Sequence, residues 1–297
     1  MTSKRRYDLL HTRLDSFTRM LPGVESGEAG AVHRTRVASR RLRELLPVLQ
    51  LDHGRIRKLS RRLRKLTRRL GTIRELAVLS SLIDELQNAR PAAGKSLQKI
   101  GDTIVSDRES AQRRLKHKDV SGDLRRLEKK LEALASELED ADRRASRGRG
   151  WRWAIDARVA RRALLLKHAI REAGSMYVPE RIHGVRLAVK KLRYGLELSV
   201  EAAGLKATPE LRTLKRNQDL LGRLRDLHVL VERVRREQAA MNPPDLAAWR
   251  ELDAVVASLE NNCRRLHARY VRQRSALTAI CDRLGVRATA AAARRTG

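Results

Sequence analysis

Two rows of basic residues, each with one histidine, lie 150 residues apart in the chain. Residues 32–43 read VHRTRVASRRLR, and residues 182–193 read IHGVRLAVKKLR. Arginine and lysine donate charge-assisted hydrogen bonds to phosphate oxygens, and histidine can donate one as well. A duplicated row of such groups indicates a surface that binds a polyanion. The shared positions are His33, Arg36, Arg40, Arg41 and Arg43 in the first row and His183, Arg186, Lys190, Lys191 and Arg193 in the second.

Helical periodicity gathers most of each row onto one face. Residues three and four apart share a face of a helix. In a helix over 28–50, one stripe therefore contains His33, Arg36, Arg40 and Arg43, opposite leucines that predict a buried side. A helix over 179–203 repeats the arrangement in the second half.

The cationic rows destabilise the helices that carry them, because like charges at i,i+4 repel each other in an isolated helix. Between residues 28 and 69 there are fourteen lysines or arginines against three acids, whereas the segment 92–145 is nearly balanced. The charge is thus concentrated on the repeated helices, which a general compositional preference for arginine does not predict. A bound anion would offset the repulsion.

A second pair of segments repeats at almost the same offset. Residues 70–76 read LGTIREL, and residues 221–227 read LGRLRDL. The glycine in each permits either a turn or close helix packing. We interpret the arginine–acid pairs at 74–75 and 225–226 as structural pairs that orient helices.

The composition favours a helical protein with anionic partners. The chain of 297 residues carries a formal net charge of +31, and a hydrophobic fraction of 41% can supply a core. Aromatic residues make up 3% of the chain, whereas proteins that hold single-stranded nucleic acid usually stack bases on aromatic side chains. A phosphate polymer without bases fits this scarcity better, and duplex DNA held by its backbone stays open.

The apolar pattern predicts an all-α fold. Apolar residues recur at intervals of three and four rather than two, and the connections between helices are short. We therefore expect two antiparallel helical bundles related by the internal duplication. The predicted units are a first bundle at 1–145, a linker at 146–151, a second bundle at 152–285 and a flexible tail at 286–297. The repeated glycines are expected to separate helices, giving 55–70 and 72–89 in the first half and 208–221 and 223–240 in the second.

The sequence predicts a cytoplasmic protein without a membrane span. The N-terminal segment MTSKRRYDLLHTRL has no apolar core followed by a small-residue cleavage site. No stretch approaches the length of a membrane-spanning helix.

No metal, cofactor or catalytic group is predicted. His33 and His183 are each surrounded by arginine and lysine, with no carboxylate or cysteine at ligand spacing. No nucleophile and base stand at the spacing of a catalytic constellation. A non-catalytic binding protein is the expectation, and an enzyme that uses either histidine as phosphoryl acceptor or general acid is the less favoured alternative. If the histidines contact the ligand, binding is expected to strengthen below about pH 6.5.

The doubled motif resembles a known family. The pattern His-x-x-Arg-x-x-x-[Arg/Lys]-[Arg/Lys]-Leu-Arg, followed in each half by Leu-Gly-x-x-Arg-[Asp/Glu], is similar to that of the CHAD family, the conserved histidine α-helical domain. The resemblance covers both halves and implies two four-helix bundles about a pseudo-two-fold axis, with a basic central groove or pore that binds inorganic polyphosphate. It implies ligand contacts at the ten positions of the two rows. It adds a second tier at Arg61, Arg64, Lys65, Arg212, Lys215 and Arg216.

The expected partner is therefore inorganic polyphosphate, with weak nucleic-acid binding in addition. A protein that binds the DNA backbone is the alternative. Asp219 stands where the first half has Arg68, which argues against equal affinity of the two halves for the ligand. Chain-length preference, oligomeric state and association with polyphosphate or storage granules stay open.

Overall fold

The protein, described here by a computed structural model over residues 4–89, 94–117, 120–144, 150–205 and 208–296, is built from helices, and these residues contain no strand. The predicted all-α fold is confirmed. The first half contains α1 (Arg6–Thr18), α2 (Leu21–Glu25), α3 (Ala29–Leu45), α4 (His53–Ala89), α5 (Gly94–His117) and α6 (Val120–Arg144), with a 3-10 helix at Leu46–Val48. The second half contains α7 (Gly150–Ala173), α8 (Pro179–Ala202), α9 (Pro209–Ala239) and α10 (Leu246–Thr296).

Local sequence explains where the central helices of the second half begin. Pro179 and Pro209 occupy first-turn positions, where a helix has no use for the missing N–H. At the start of α9 the Oγ1 atom of Thr208 also accepts a hydrogen bond of 3.3 Å from the backbone N–H of Leu211.

The expected breaks at the repeated glycines were wrong, because α4 and α9 each run on through their glycine. Buried apolar residues continue at helical spacing on both sides of it, and their packing outweighs the cost of about 1 kcal/mol for a glycine in a helix interior. At Gly71 the missing side chain has a use. A Cβ atom there would lie 3.0 Å from Nη1 of Arg36, so the glycine gives that arginine room beside α4.

Two buried apolar clusters hold the helices. The larger one includes residues of both halves, among them Leu42 and Leu192. The smaller one joins the C-terminal part of α4 to α5, α9 and α10, with Ile83 and Leu230 at 1% and 0% exposure. Since α4 and α9 contribute to both clusters, the helices that follow the two basic rows are anchored at both ends.

The domain boundaries stay a prediction. Most of the predicted linker, residues 146–149, lies outside the described residues, and the helix α7 begins at Gly150. The helix α10 extends through the range predicted as a flexible tail as far as Thr296, and the described side chains end at residue 286. None of the described helices has the length and apolar character needed to cross a membrane.

Candidate polyanion-binding site

The helices α3 and α8 contact each other and bring cations of the two rows into one neighbourhood. The groups lie close enough for the charge of one to lower the pKa of another across the boundary between the halves. We call this set the cation cluster. Its members are His33, Arg36, Arg40 and Arg74 from the first half and His183, Arg186, Lys190 and Arg225 from the second.

Lys190 on α8 carries the strongest sign of crowding. Burial, followed by repulsion from Arg40 and Arg186 and then from Arg36 and Arg193, lowers the pKa of Lys190 to about 7. Burial and nearby like charge both disfavour the ammonium form. An anion placed among these groups would reverse the second effect.

Arg36 is held in place by the backbone of α4. Its Nη1 atom donates a hydrogen bond of 2.7 Å to the carbonyl oxygen of Thr67. Burial, then Arg40 and Arg74, lower the pKa of Arg36 to about 10, which leaves the guanidinium charged at neutral pH. On the same helix, the buried Oγ of Ser39 contacts Oγ1 of Thr67 at 2.8 Å. This contact fixes α3 against α4, so the direction of Arg36 is set before any ligand arrives.

Both histidines of the rows lie at the cation cluster. Burial, then Arg74 and Arg36, lower the pKa of His33, and burial, then Arg186 and Arg225, lower the pKa of His183. Both imidazoles are therefore neutral at pH 7. The buried Nδ1 of His183 has no hydrogen-bond partner among the described residues.

Sequence reasoning treated Arg74 and Arg225 as parts of structural pairs and left them out of the site. The structure puts their charges beside the two histidines. The neighbouring acids also reach the cluster, since Asp226 and Glu75 act on the pKa values of Arg186 and Arg36. Burial raises the pKa of Asp226 against the opposing charge of Arg186. Both arginines could have been found from the second pair of repeated segments, 70–76 and 221–227, in which each arginine is followed by an acid.

The cationic surface continues from the cluster onto α4 through Arg43. Burial, then Arg64 and Arg40, lower the pKa of Arg43, with a further contribution from Arg68. Arg64 and Arg68 are exposed on α4. Arg64 of the predicted second tier thus lies next to the first row, and Arg68 joins it.

Other predicted residues line a separate cavity of about 440 Å³ between α1, α3, α8 and α9. Here the cations meet carboxylates. Arg193 pairs with Glu197 and donates from Nε to Oε1 of Gln218 at 2.8 Å, while Arg41 donates to Glu197 at 3.3 Å. Glu201 accepts from the buried Arg13 at 3.0 Å. The predicted site residues on this cavity are Arg41, Arg193, Arg212 and Lys215.

The remaining predicted residues lie elsewhere on the surface. Lys65 lines a groove between α4 and α6. Lys191 is exposed, and its carbonyl oxygen accepts a hydrogen bond of 2.7 Å from Arg162. Arg61 is exposed on α4, and Arg216 is exposed on α9 with a hydrogen bond to Thr213. A ligand contact at any of these positions stays a prediction.

Comparison with known proteins identifies a family and two similar structures. The family model of the CHAD domain matches residues 8–235, which include both basic rows. The crystal structure of the CHAD domain from the plant Ricinus communis is 22% identical, with a TM-score of 0.61, over 94% of this chain and 92% of that chain. PptA from Streptomyces chartreusis is 18% identical, with a TM-score of 0.61, over 95% of this chain and 97% of that chain. No curated protein matches the sequence.

Proposed function

Because the chain belongs to the CHAD family, we propose that it binds inorganic polyphosphate at the cation cluster without catalysing a reaction. The observation that carries the proposal is the position of Lys190 beside Arg36 and Arg40, where cations of two helices are partly buried together. Burying like charges side by side costs free energy unless an opposite charge joins them. A chain of phosphates supplies that charge at regular intervals.

Recognition of the polymer follows from the chemistry of the cluster. Charge-assisted hydrogen bonds to phosphate contribute about 1.5–3 kcal/mol each before ordering costs. The hydrogen bond of Arg36 to α4 and the packing of α3 on α4 place the donors in advance, which lowers the entropy lost on binding. Burial and the neighbouring cations lower the pKa values of both histidines, so in the free protein the imidazoles offer hydrogen-bond donors rather than charge.

A triple variant of two cluster residues and the adjoining Arg43 tests the proposal. Replacing Arg40, Arg43 and Lys190 by glutamine removes three cations while keeping side-chain length. Affinity for polyphosphate, measured by titration calorimetry at fixed salt, is expected to fall on the order of 1,000-fold. The matched control is Arg114→Gln, Lys129→Gln and Arg161→Gln, three exposed cations elsewhere on the surface. Equal losses in the two variants would refute the cluster as the binding site.

Two further measurements separate polyphosphate binding from the alternatives. Duplex DNA at equal phosphate concentration is expected to displace polyphosphate poorly, and efficient displacement would favour a protein that binds the DNA backbone. Incubation of the protein with polyphosphate is expected to release no phosphate. Release that is lost in His33→Ala and His183→Ala, with binding kept, would instead establish an enzyme.

A further inference from the structure

A second basic groove lies between α4 and α6, apart from the cation cluster. It encloses about 330 Å³ and has an apolar floor that includes Leu66 and Leu127. We call it the outer groove. Its charged residues are Arg62, Lys65, Arg69, Asp123, Arg126 and Lys130.

The single carboxylate among those charged residues is already engaged. Asp123 accepts hydrogen bonds from Arg126, at 3.0 Å, and from Arg69. These bonds, with that from Arg126 the larger influence, lower the pKa of Asp123. The groove has five cations against this one carboxylate, so most of its positive charge is uncompensated.

The uncompensated charge comes mainly from two residues of α4 and one residue of α6. Arg62 and Lys65 are exposed, three residues apart on one face of α4, and Lys130 is exposed on α6. The structure describes no ion pair for these three side chains. Like charges at this spacing repel one another within a helix, and the same sign faces them across the groove.

Cations of α4 lie between the surroundings of Arg43 and the outer groove. Arg64 and Arg68 lie near Arg43 on the side of the cluster. The next residue after each of them, Lys65 and Arg69, lines the outer groove. Successive residues of a helix are about 100° apart, so these adjacent pairs carry cations around the exposed side of α4.

We propose that the outer groove is a second binding site for the same phosphate chain, reached when a chain is long enough to leave the cation cluster and cross α4. The inference rests on the proposed function and adds a preference for long polymers. The second half has fewer cations at the corresponding positions. Thr213 and Leu220 stand at the positions of Arg62 and Arg69, so the chain leaves the cluster over the first half.

A length-dependent binding experiment tests the outer groove. The groove variant is Lys65→Gln with Lys130→Gln, and the matched control is Lys99→Gln with Lys129→Gln, which removes two exposed lysines outside the groove. Each protein is titrated with tripolyphosphate, with long-chain polyphosphate and with duplex DNA at the same salt concentration. The groove variant is expected to lose about tenfold in affinity for the long chain and none for tripolyphosphate. Thermal melting by circular dichroism checks that all variants fold alike.

Each other outcome has a separate meaning. If the groove variant and the control bind the long chain equally, the outer groove is refuted, and the triple variant of the cluster still decides the proposed function. A loss for tripolyphosphate as large as that for the long chain would overturn the length dependence. A loss for duplex DNA alone would make the groove a nucleic-acid site instead. If the unaltered protein binds neither phosphate chain, both proposals fail together.

Discussion

Arg43 and Arg193 occupy the same position in the two repeats and have different surroundings. Arg193 is 9% exposed, pairs with Glu197, donates to Gln218 and lies 4.5 Å from the ring centre of Tyr194. Arg43 is more exposed, and the charges that act on it are those of Arg64, Arg40 and Arg68, opposed by that of Glu44. The cation of the second half is thus paired within the fold, while that of the first half has no ion pair among the described residues.

The same contrast extends to neighbouring positions. The counterpart of Glu197 in the first half is Pro47, and the counterpart of Asp219 is Arg68. Both changes make the first half more basic around a shared motif. A duplication therefore preserves the positions of charges without preserving their roles, because the role depends on which partner the fold supplies.

The largest expected difference between the two arginines is in their contribution to the free energy of unfolding. Arg193→Gln leaves Glu197 without the closest of its partners in a half-buried site and is expected to lower the free energy of unfolding by about 3 kcal/mol. Arg43→Gln is expected to leave it nearly unchanged. Urea denaturation followed by circular dichroism measures both. Equal destabilisation would show that the two arginines have the same structural role.

The reverse order is expected for binding. Arg43→Gln removes one available donor and should weaken polyphosphate binding about tenfold. Arg193→Gln, measured at a temperature where the variant is folded, should change affinity much less. Titration calorimetry of the two variants side by side checks this. A larger loss for Arg193→Gln would place the ligand in the cavity of α1, α3, α8 and α9 instead.

The repeats also differ at the position of Lys190, because the first half has an arginine there and the second half has a lysine that can lose its proton. The pKa of Lys190 is about 7 in the free protein, against 10.5 for an ordinary lysine. A bound anion raises it, so binding takes up a proton above pH 7. Affinity should rise by up to about tenfold per pH unit as the pH falls toward 7, and then level off.

The variant Lys190→Arg sharpens the pH comparison. It keeps the charge and should bind polyphosphate with the same affinity from pH 7 to 9, with no proton uptake in buffers of different ionisation enthalpy. Without ligand, the unfolded chain binds more protons than the folded one between about pH 7 and 10.5. The unaltered protein should therefore lose stability as the pH falls through that range. An unchanged pH profile in the variant would assign the effect to another group.

The smallest expected effect concerns the paired glycines. A Cβ on residue 222 would have no neighbour within 4 Å, so Gly222→Ala should raise the free energy of unfolding by about 0.5–1 kcal/mol. In Gly71→Ala the new methyl group presses on Arg36, so the gain should be smaller and polyphosphate binding weaker. Denaturation and titration of both variants test the difference. Equal gains with unchanged binding would mean that Arg36 moves aside freely.

The helical fold was predictable because apolar spacing is a local property of the sequence. The spacing of three and four identified all-α structure, and the prolines at 179 and 209 marked two helix starts. The helix breaks predicted at Gly71 and Gly222 were wrong because they rested on the low helix propensity of glycine and ignored the packing of the surrounding residues. Burial on both sides of each glycine keeps the helix continuous.

The site was predictable in part. The repeat identified the cations of the two rows, since their spacing places them on one face. The predicted site did not include Arg74 and Arg225, because the approach of these arginines to the histidines depends on how α4 and α9 pack against α3 and α8. The family resemblance grouped Lys65 with Arg64, although a rotation of about 100° along the helix puts the lysine on the outer groove.

The sequence by itself determined the helices, the family and the doubled stripe of positive charge, because all three depend on residue type and periodicity along the chain. Only the tertiary structure decided which of those charges meet. Whether an arginine is held by a carboxylate, as Arg193 is, or lies among other arginines without a described ion pair, as Arg43 does, depends on partners outside the repeat motif. Electrostatic interaction depends on distance and burial in space, and the packing of helices sets both.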